Sequence, residues 1–424
     1  MGDVIIDGLT GANRLVILDT NGKIPALDGS AVTAIAGANF STGTIPVARL
    51  DTGTTAGKVV KLDGNAKLPA VSGLALTGVV GATKNASDPT ISTNPSGGVG
   101  TEWQNTTSGE VYVCTDATAG ENVWKNVGEQ SGNIEPVKWY GPRGVWGGGH
   151  HPTVDTIDYV TIATTGNAID FGNLIPGAMR FVGGYSGDGR GVFLGGTPPT
   201  VNVMQYVTCA TPGNAVDFGD LTGTVSQCEG VGGLSDGSRG VRIGGASANI
   251  LDYVTIATIG NATDFGDSVA NNRFAAGVCN GTYGLYAGGN YPNNNTIDKI
   301  TVATTGNAID WADCLTTGHA MGGLGNDTRG IWFGGYSVTA QNAWQNIIQY
   351  VTIATQANTV DFGDLLNSPS NIAGVTDATK GVIAGGALSS TTNVIQYVTI
   401  ASTGNATDFG DLTVARYSYG NASG

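Results

Sequence analysis

One segment, present six times, limits what this chain can fold into. IDYVTIATTGNAIDFGNL, beginning at Ile157, recurs with small changes in five later copies. Its tyrosine falls at Tyr159, Tyr206, Tyr253, Tyr350 and Tyr397, and Lys299 stands in that place in the fourth copy. A second piece keeps the same period: Arg-Gly, an apolar or aromatic triplet, then Gly-Gly. It reads RGVWGGG from Arg143, RGVFLGG from Arg190, RGVRIGG from Arg239 and RGIWFGG from Arg329. Weaker versions start at Tyr283 and Lys380. Self-similarity at such a period marks solenoids, propellers or arrays.

Each unit divides into four strand-sized pieces, a to d. In the second unit, strand a is Arg180 to Gly184, followed by a YSGDG turn. Strand b starts at Arg190, strand c is VMQYVTCAT, and strand d is NAVDFGD after a turn at Pro212 and Gly213. β-branched and aromatic residues fill the strands, while Gly, Asn, Asp and Ser fill the turns. Helical periodicity is absent. Four short antiparallel strands per ~45–50 residues is the propeller-blade pattern, close to the kelch period. The fold class expected is therefore all-β, a six-bladed kelch-like β-propeller over residues 135–424.

The ends of the array predict how such a ring closes. Ten residues before each strand b lie Arg180, Glu229, Arg273, His319 and Ser370, each followed four residues on by a glycine. The unit starting at Arg143 has no such strand before it, whereas Arg416 and Gly420 supply one at the other end. The C-terminal strand should complete the first blade and leave no open edge. An open solenoid is the alternative and would need polar caps.

The first 134 residues read differently. Residues 15–33 and 59–77 match at an offset of 44, sharing Leu18/Leu62, Asp19/Asp63, Lys23/Lys67 and Pro25/Pro69 among others. Short, Gly- and Ala-rich pieces of this kind cannot easily bury a core as a monomer. They are either disordered or ordered by wrapping around copies of themselves, and the regular Leu-Asp and Pro-Ala pattern favours the second. Residues 82–97 read as a linker. Beyond it lie two or three strands with Trp103, Tyr112 and Trp124, more easily the core of a small hairpin domain than a sugar platform. The expected divisions are thus 1–81, 82–134 and 135–424.

Composition narrows the function classes. Charged residues make up 12% of the chain, about half the roughly 25% usual in soluble domains. Acidic residues outnumber basic ones 33 to 19, a net charge of −14. With no basic stripe, nucleic acid and anionic membrane are poor partners. The first residues lack a basic n-region and an apolar h-region, and no run of 18 apolar residues occurs, so neither a secretory signal nor a membrane span is expected. The five cysteines contain no C-x-x-C and read as small buried hydrophobes of a chain made in a reducing cytoplasm. No cofactor is implied.

The LD-N-KLPA-SG-ALT pieces resemble the fibre repeats near the start of bacteriophage tail-fibre proteins. SGEVYVCTDATAGENVW resembles small modules of the same proteins, and the YVTIATTGNATDFGDL units resemble kelch-like propeller repeats of phage virion proteins. The resemblance implies a virion protein that is homotrimeric through its N-terminal segment. That segment would attach to other virion proteins, and the distal part would meet a host-surface glycan or protein. A virion protein needs no signal peptide.

Antiparallel order places the b–c and d–a loops at one end of every blade. The a–b and c–d turns are nearly constant, whereas the b–c loops differ in nearly every copy. Dissimilar loops on similar frames are where a specific surface belongs. The candidate ligand-binding residues there are Trp344, Tyr336, Tyr291, His150, His151 and His319. Exposed rings can stack on sugars or anchor an interface, or can pack against their own loops. No metal site is expected from the histidine spacing, although histidines of three chains could meet on a trimer axis. The Asp of NAxDFG recurs in every unit, from Asp170 to Asp408, which favours a turn or backbone-capping role. The periodic Arg143, Arg190, Arg239 and Arg329 also read as structural.

Two catalytic readings carry less weight. The sialidase turn motif is not matched by SDGSRGV at Ser235, and Arg180, Arg273 and Arg416, although able to point into the central opening, occupy alternate blades. A depolymerase would need a carboxylate pair in a cleft, and none stands out. The expected function is a phage fibre that recognises the host surface, with no catalysis. A purely structural virion decoration or head fibre is the alternative.

Overall fold

The computed structural model describes residues 81–128, 134–175, 177–223, 232–245, 248–289, 294–337 and 343–424. The fibre repeats, the trimer they imply, Tyr291, Glu229 and Cys228 lie outside the described residues. What is described is all-β, without a helix, and built from many small antiparallel sheets.

Near the start, Thr83–Asn85 runs parallel to Glu102–Asn105. Trp103 is buried there and donates its Nε1–H to the Ser87 carbonyl at 2.9 Å. Separately, Val111–Asp116 pairs with Val123–Asn126, with Tyr112, Cys114 and Trp124 buried. The two tryptophans are core residues.

The repeats form six sheets: five have four strands and one has six, and in all but one the strands follow one another in sequence order. The second runs Gly183–Gly187, Arg190–Gly196, Val201–Thr208 and Val216–Asp220. Its first strand begins three residues later than the sequence reading places it. Phe181 adopts φ 57°, a left-handed conformation that interrupts an extended run. The strand instead continues to Gly187, and Asp188 (φ 50°) with Gly189 (φ 68°) makes the tight turn. Two central residues at positive φ suit a two-residue hairpin whose twist matches its strands.

The C-terminal strand Gly420–Ser423 pairs with Arg143–Gly147 and stands first in the sheet with Thr156–Thr161 and Ile169–Asn173. Its register differs by one residue from the sequence reading. Asn421 lies opposite Trp146, the place that Gly184 takes opposite Phe193. Tyr417, and not Arg416, is therefore the counterpart of Arg180.

Successive sheets approach closely on the inside. A Cβ on Gly184 would lie 2.4 Å from the Asn421 carbonyl oxygen, and one on Gly233 2.5 Å from that of Gly184. Asn421 also donates to the Gly374 carbonyl at 2.6 Å. Between the sheets lie hydrophobic clusters drawn from two neighbours each. One packs Trp146 and Ile162 of the first sheet against Val382, Ile395 and Phe409 of the last.

The conserved turns link the outer edges. In each Gly-Asn-Ala turn the amide oxygen accepts from the preceding sheet's outer strand: Asn214 from Asn173 N–H at 3.0 Å, Asn167 from Asp411 N–H at 3.1 Å. The expectation that the repeated Asp does the capping is corrected. Asp170, Asp217, Asp264, Asp310, Asp361 and Asp408 are exposed, and Asn, with its neutral amide, takes that role.

The strand-b cations reach the next sheet. Arg190 donates to the Ile256 carbonyl at 2.7 Å, Arg239 to Val302 at 2.9 Å and Arg329 to Ile400 at 2.7 Å. Each also covers the strand-c tyrosine of its own sheet, Arg239 lying 4.2 Å from the Tyr253 centroid. The fourth sheet has both partners exchanged: Lys299 sits 3.7 Å from the Tyr283 ring. A cation–π contact is therefore kept by a paired reversal. Tyr283→Arg alone sets two cations together, and Lys299→Tyr alone removes the cation. Both should lower Tm, and the double variant should recover, with a coupling of about 0.5–1 kcal/mol in a thermal double-mutant cycle.

Candidate functional site

The variable rim is built from two short stretches per sheet. In four of the sheets the residue after the Gly-Gly pair meets the residue just before the inner strand's left-handed position. His150 N–H donates to the Tyr417 carbonyl at 2.8 Å, and Arg180 exchanges backbone bonds with Thr197 at 2.8 and 3.0 Å. Ser370 pairs with Ala387, and His319 with Tyr336. The b–c and d–a segments thus share one end of these sheets.

One residue further inward, Phe181, Phe274, Ala320, Asn371 and Ser418 all have φ between 53° and 61°. They line a recess together with the inner-strand glycines. Three of the five are neither Gly nor Asn/Asp nor Ser, and a bulky residue in this region is a genuine outlier. The turn brings the Phe181 and Phe274 rings to 5.3 Å. Arg180 lies 5.2 Å from the Phe181 centroid and Arg273 4.7 Å from that of Phe274. The other end of the inner strands is occupied by Trp139, whose carbonyl accepts from Ser186 Oγ at 2.6 Å.

Arg180 Nη1 donates to His150 Nε2 at 2.7 Å. An accepting Nε2 requires a neutral imidazole with its proton on Nδ1. Burial first, then the Arg180 and His151 charges, hold the His150 pKa below the usual value. His151 is exposed and stacks on His150 at 3.9 Å, with Tyr417 5.2 Å from His150. Burial, and then Arg273, likewise lowers His319. His150 and His319 belong to different sheets. Among the described residues no group of three or more His, Cys, Asp or Glu is arranged to hold a metal.

The fifth unit's long insertion supplies the aromatic part. The sequence reading leaves it as a loop, but Tyr336–Ser337 and Ala343–Trp344 form short strands that extend the fourth sheet beyond Ile309–His319. Tyr336 faces His319 on one side and Trp344 on the other. The His319 and Tyr336 rings are 5.5 Å apart, and Trp344 is 44% exposed. Three of the candidate residues are thereby brought into one row.

Arg416 does not join the rim. It is fully buried, with Nη2 3.1 Å from Asp158 Oδ2 and Nη1 2.9 Å from the Thr156 carbonyl. The one-residue offset of the last strand explains this, and it puts Tyr417 on the rim instead. Sequence reasoning missed Tyr417, Phe181 and Phe274. A signal existed for the phenylalanines, which follow Arg180 and Arg273 at equivalent positions.

No protein-family model matches this sequence, and no curated protein matches it. Among solved structures the chain is similar to that of YjhT, with a TM-score of 0.51 and 12% identity. The match covers 64% of this chain and 97% of YjhT. YjhT is a kelch-type β-propeller, and the likeness makes this an all-β, propeller-like fold. The expectation of a chain without catalysis is corrected by this match, because YjhT is of the sialidase/mutarotase type. At 12% identity only the fold carries over, but a fold that houses such proteins gives no ground for a non-enzyme. Among the described residues no helix is long and apolar enough to cross a membrane.

A further recess lies off the rim, lined by Val269, Tyr286 and Asp298 among others. Burial pushes the Asp298 carboxyl up to about 6, against the opposing Val269 N–H at 3.2 Å. Asp158 and Asp252 at equivalent positions have buried arginine partners, and Gln205, Gln349 and Gln396 are neutral. A carboxyl raised on folding adds stability that is present at acid pH and lost as pH rises through about 6. Asp298→Asn should therefore gain stability at pH 7.5, on the order of 2 kcal/mol, and little at pH 4, read from urea midpoints. On the rim, Trp344→Ala should change stability by less than about 0.5 kcal/mol. Trp332→Ala, in the fully buried counterpart, should cost about 3–5 kcal/mol.

Proposed function

We propose that this chain is a bacteriophage virion fibre protein whose repeat region is a six-bladed propeller, and that its loop rim recognises host-surface glycans. The blade count is supported by six like sheets, and closure by Asn421, which touches both Gly184 and Gly374. The fibre assignment rests on the resemblance of residues 1–81, which also implies trimerisation and attachment to other virion proteins.

The observation that carries recognition is the row His319, Tyr336, Trp344. An exposed indole beside a half-buried phenol and an imidazole offers an apolar face for a sugar ring and polar edges for its hydroxyls. Trp139 occupies the opposite end of the inner strands, so the rim is the end with room for a ligand. Many copies on one particle gain avidity, and a single weak site suffices.

The full chain should bind bacterial polysaccharides on a glycan array. Trp344→Ala and Tyr336→Ala should each weaken that binding about tenfold, a loss of about 1.4 kcal/mol, with Tm unchanged. An array without a saccharide ligand, or binding indifferent to both substitutions, would count against recognition at this rim. Release of reducing ends in the same incubation would reveal cleavage as well as binding.

A further inference from the structure

Among the described residues most arginines have a partner within the frame. Arg143, Arg190, Arg239 and Arg329 donate to carbonyls of a neighbouring sheet, and Arg242 and Arg416 pair with buried aspartates. Arg180 differs. Its Nη1 meets a neutral histidine, and its guanidinium carbon lies 5.2 Å from the Phe181 ring centroid. A guanidinium has five donors and stays charged at any physiological pH. Around it stand His150, His151, Tyr417 and Phe181, groups that bring no negative charge.

We propose that Arg180 is the anchor for the carboxylate of a uronic-acid residue bound at the rim. The proposal rests on the glycan-recognition reading above and names the sugar class. A carboxylate matches the guanidinium fork with two parallel bonds, the strongest geometry available to this side chain. His150 holds the guanidinium through one Nη1 hydrogen and Nε is buried, which leaves the edge formed by Nη2 and the second Nη1 hydrogen for the ligand. Phe181, backed by Phe274, fixes it from one side. The net charge of −14 repels polyanions at long range, so selection for an acidic sugar has to come from a local cation of this kind.

The test uses the full chain with a galacturonic acid trisaccharide and its carboxyl-reduced counterpart, compared by calorimetric titration. The acidic form is expected to bind at least tenfold more tightly. Arg180→Gln should abolish that preference, and Arg180→Lys, which keeps the charge but not the fork, should retain part of it. Thermal unfolding of each variant confirms that it is folded. Equal binding of both trisaccharides, binding of neither, or a preference that survives Arg180→Gln overturns the proposal. If the array still shows neutral glycans held through Trp344 and Tyr336, recognition at the rim stands and only the acidic sugar class fails. If the array shows none, the broader reading fails with it.

Discussion

Backbone touching backbone is the constraint on which this structure depends. The inner strands lie so near one another that a single methyl group at Gly184 or Gly233 would overlap the neighbouring carbonyl. Side chains cannot fill that space, so the cores move outward, between the sheets, where Trp146, Phe193 and Trp332 are buried. The outer edges are then joined by amide caps and by cations reaching across to carbonyls. Three layers of contact, glycine, apolar and polar, recur around the sheets, with Asn421 in the glycine's place in the first and Tyr283 in the cation's place in the fourth.

Such a frame leaves the rim free to vary. The Gly-Gly turn and the left-handed residue beside the rim set the backbone, and the rim residues pair through main-chain bonds that any side chain permits. Hence His150, Thr197, Tyr336 and Ala387 occupy equivalent places with unrelated chemistry. Where the frame has a buried polar requirement, identity narrows to Asp or Gln, as at Asp158, Gln205 and Gln349. Asp298 is the member of that set raised to about 6, the place where the frame is least comfortable.

Much of the fold was legible because alternation and turn chemistry agree within each unit. Tyr206 and Phe218 mark strands c and d, and Asp188-Gly189 marks the turn between a and b. The pairing of the last strand with the first was legible from spacing, but its register was not, since Gly420 mimics the glycine of the other units while Asn421 takes its place. The left-handed Phe181 and Phe274 were also hidden, because nothing in a phenylalanine announces positive φ. Of the site, Tyr336, Trp344 and the histidines could be picked out by variability alone. That His319, Tyr336 and Trp344 form one row depended on a strand pair of which the insertion's sequence gives no hint.

The reversal at Tyr283 and Lys299 bears on ancestry. Units derived by duplication drift independently, and most frame positions tolerate little drift. Here two positions exchanged partners while their contact survived, which requires either a passage through a less stable intermediate or a nearly simultaneous change. The fourth unit therefore carries a record of compensated divergence at a frame position, where a single change would lose the contact.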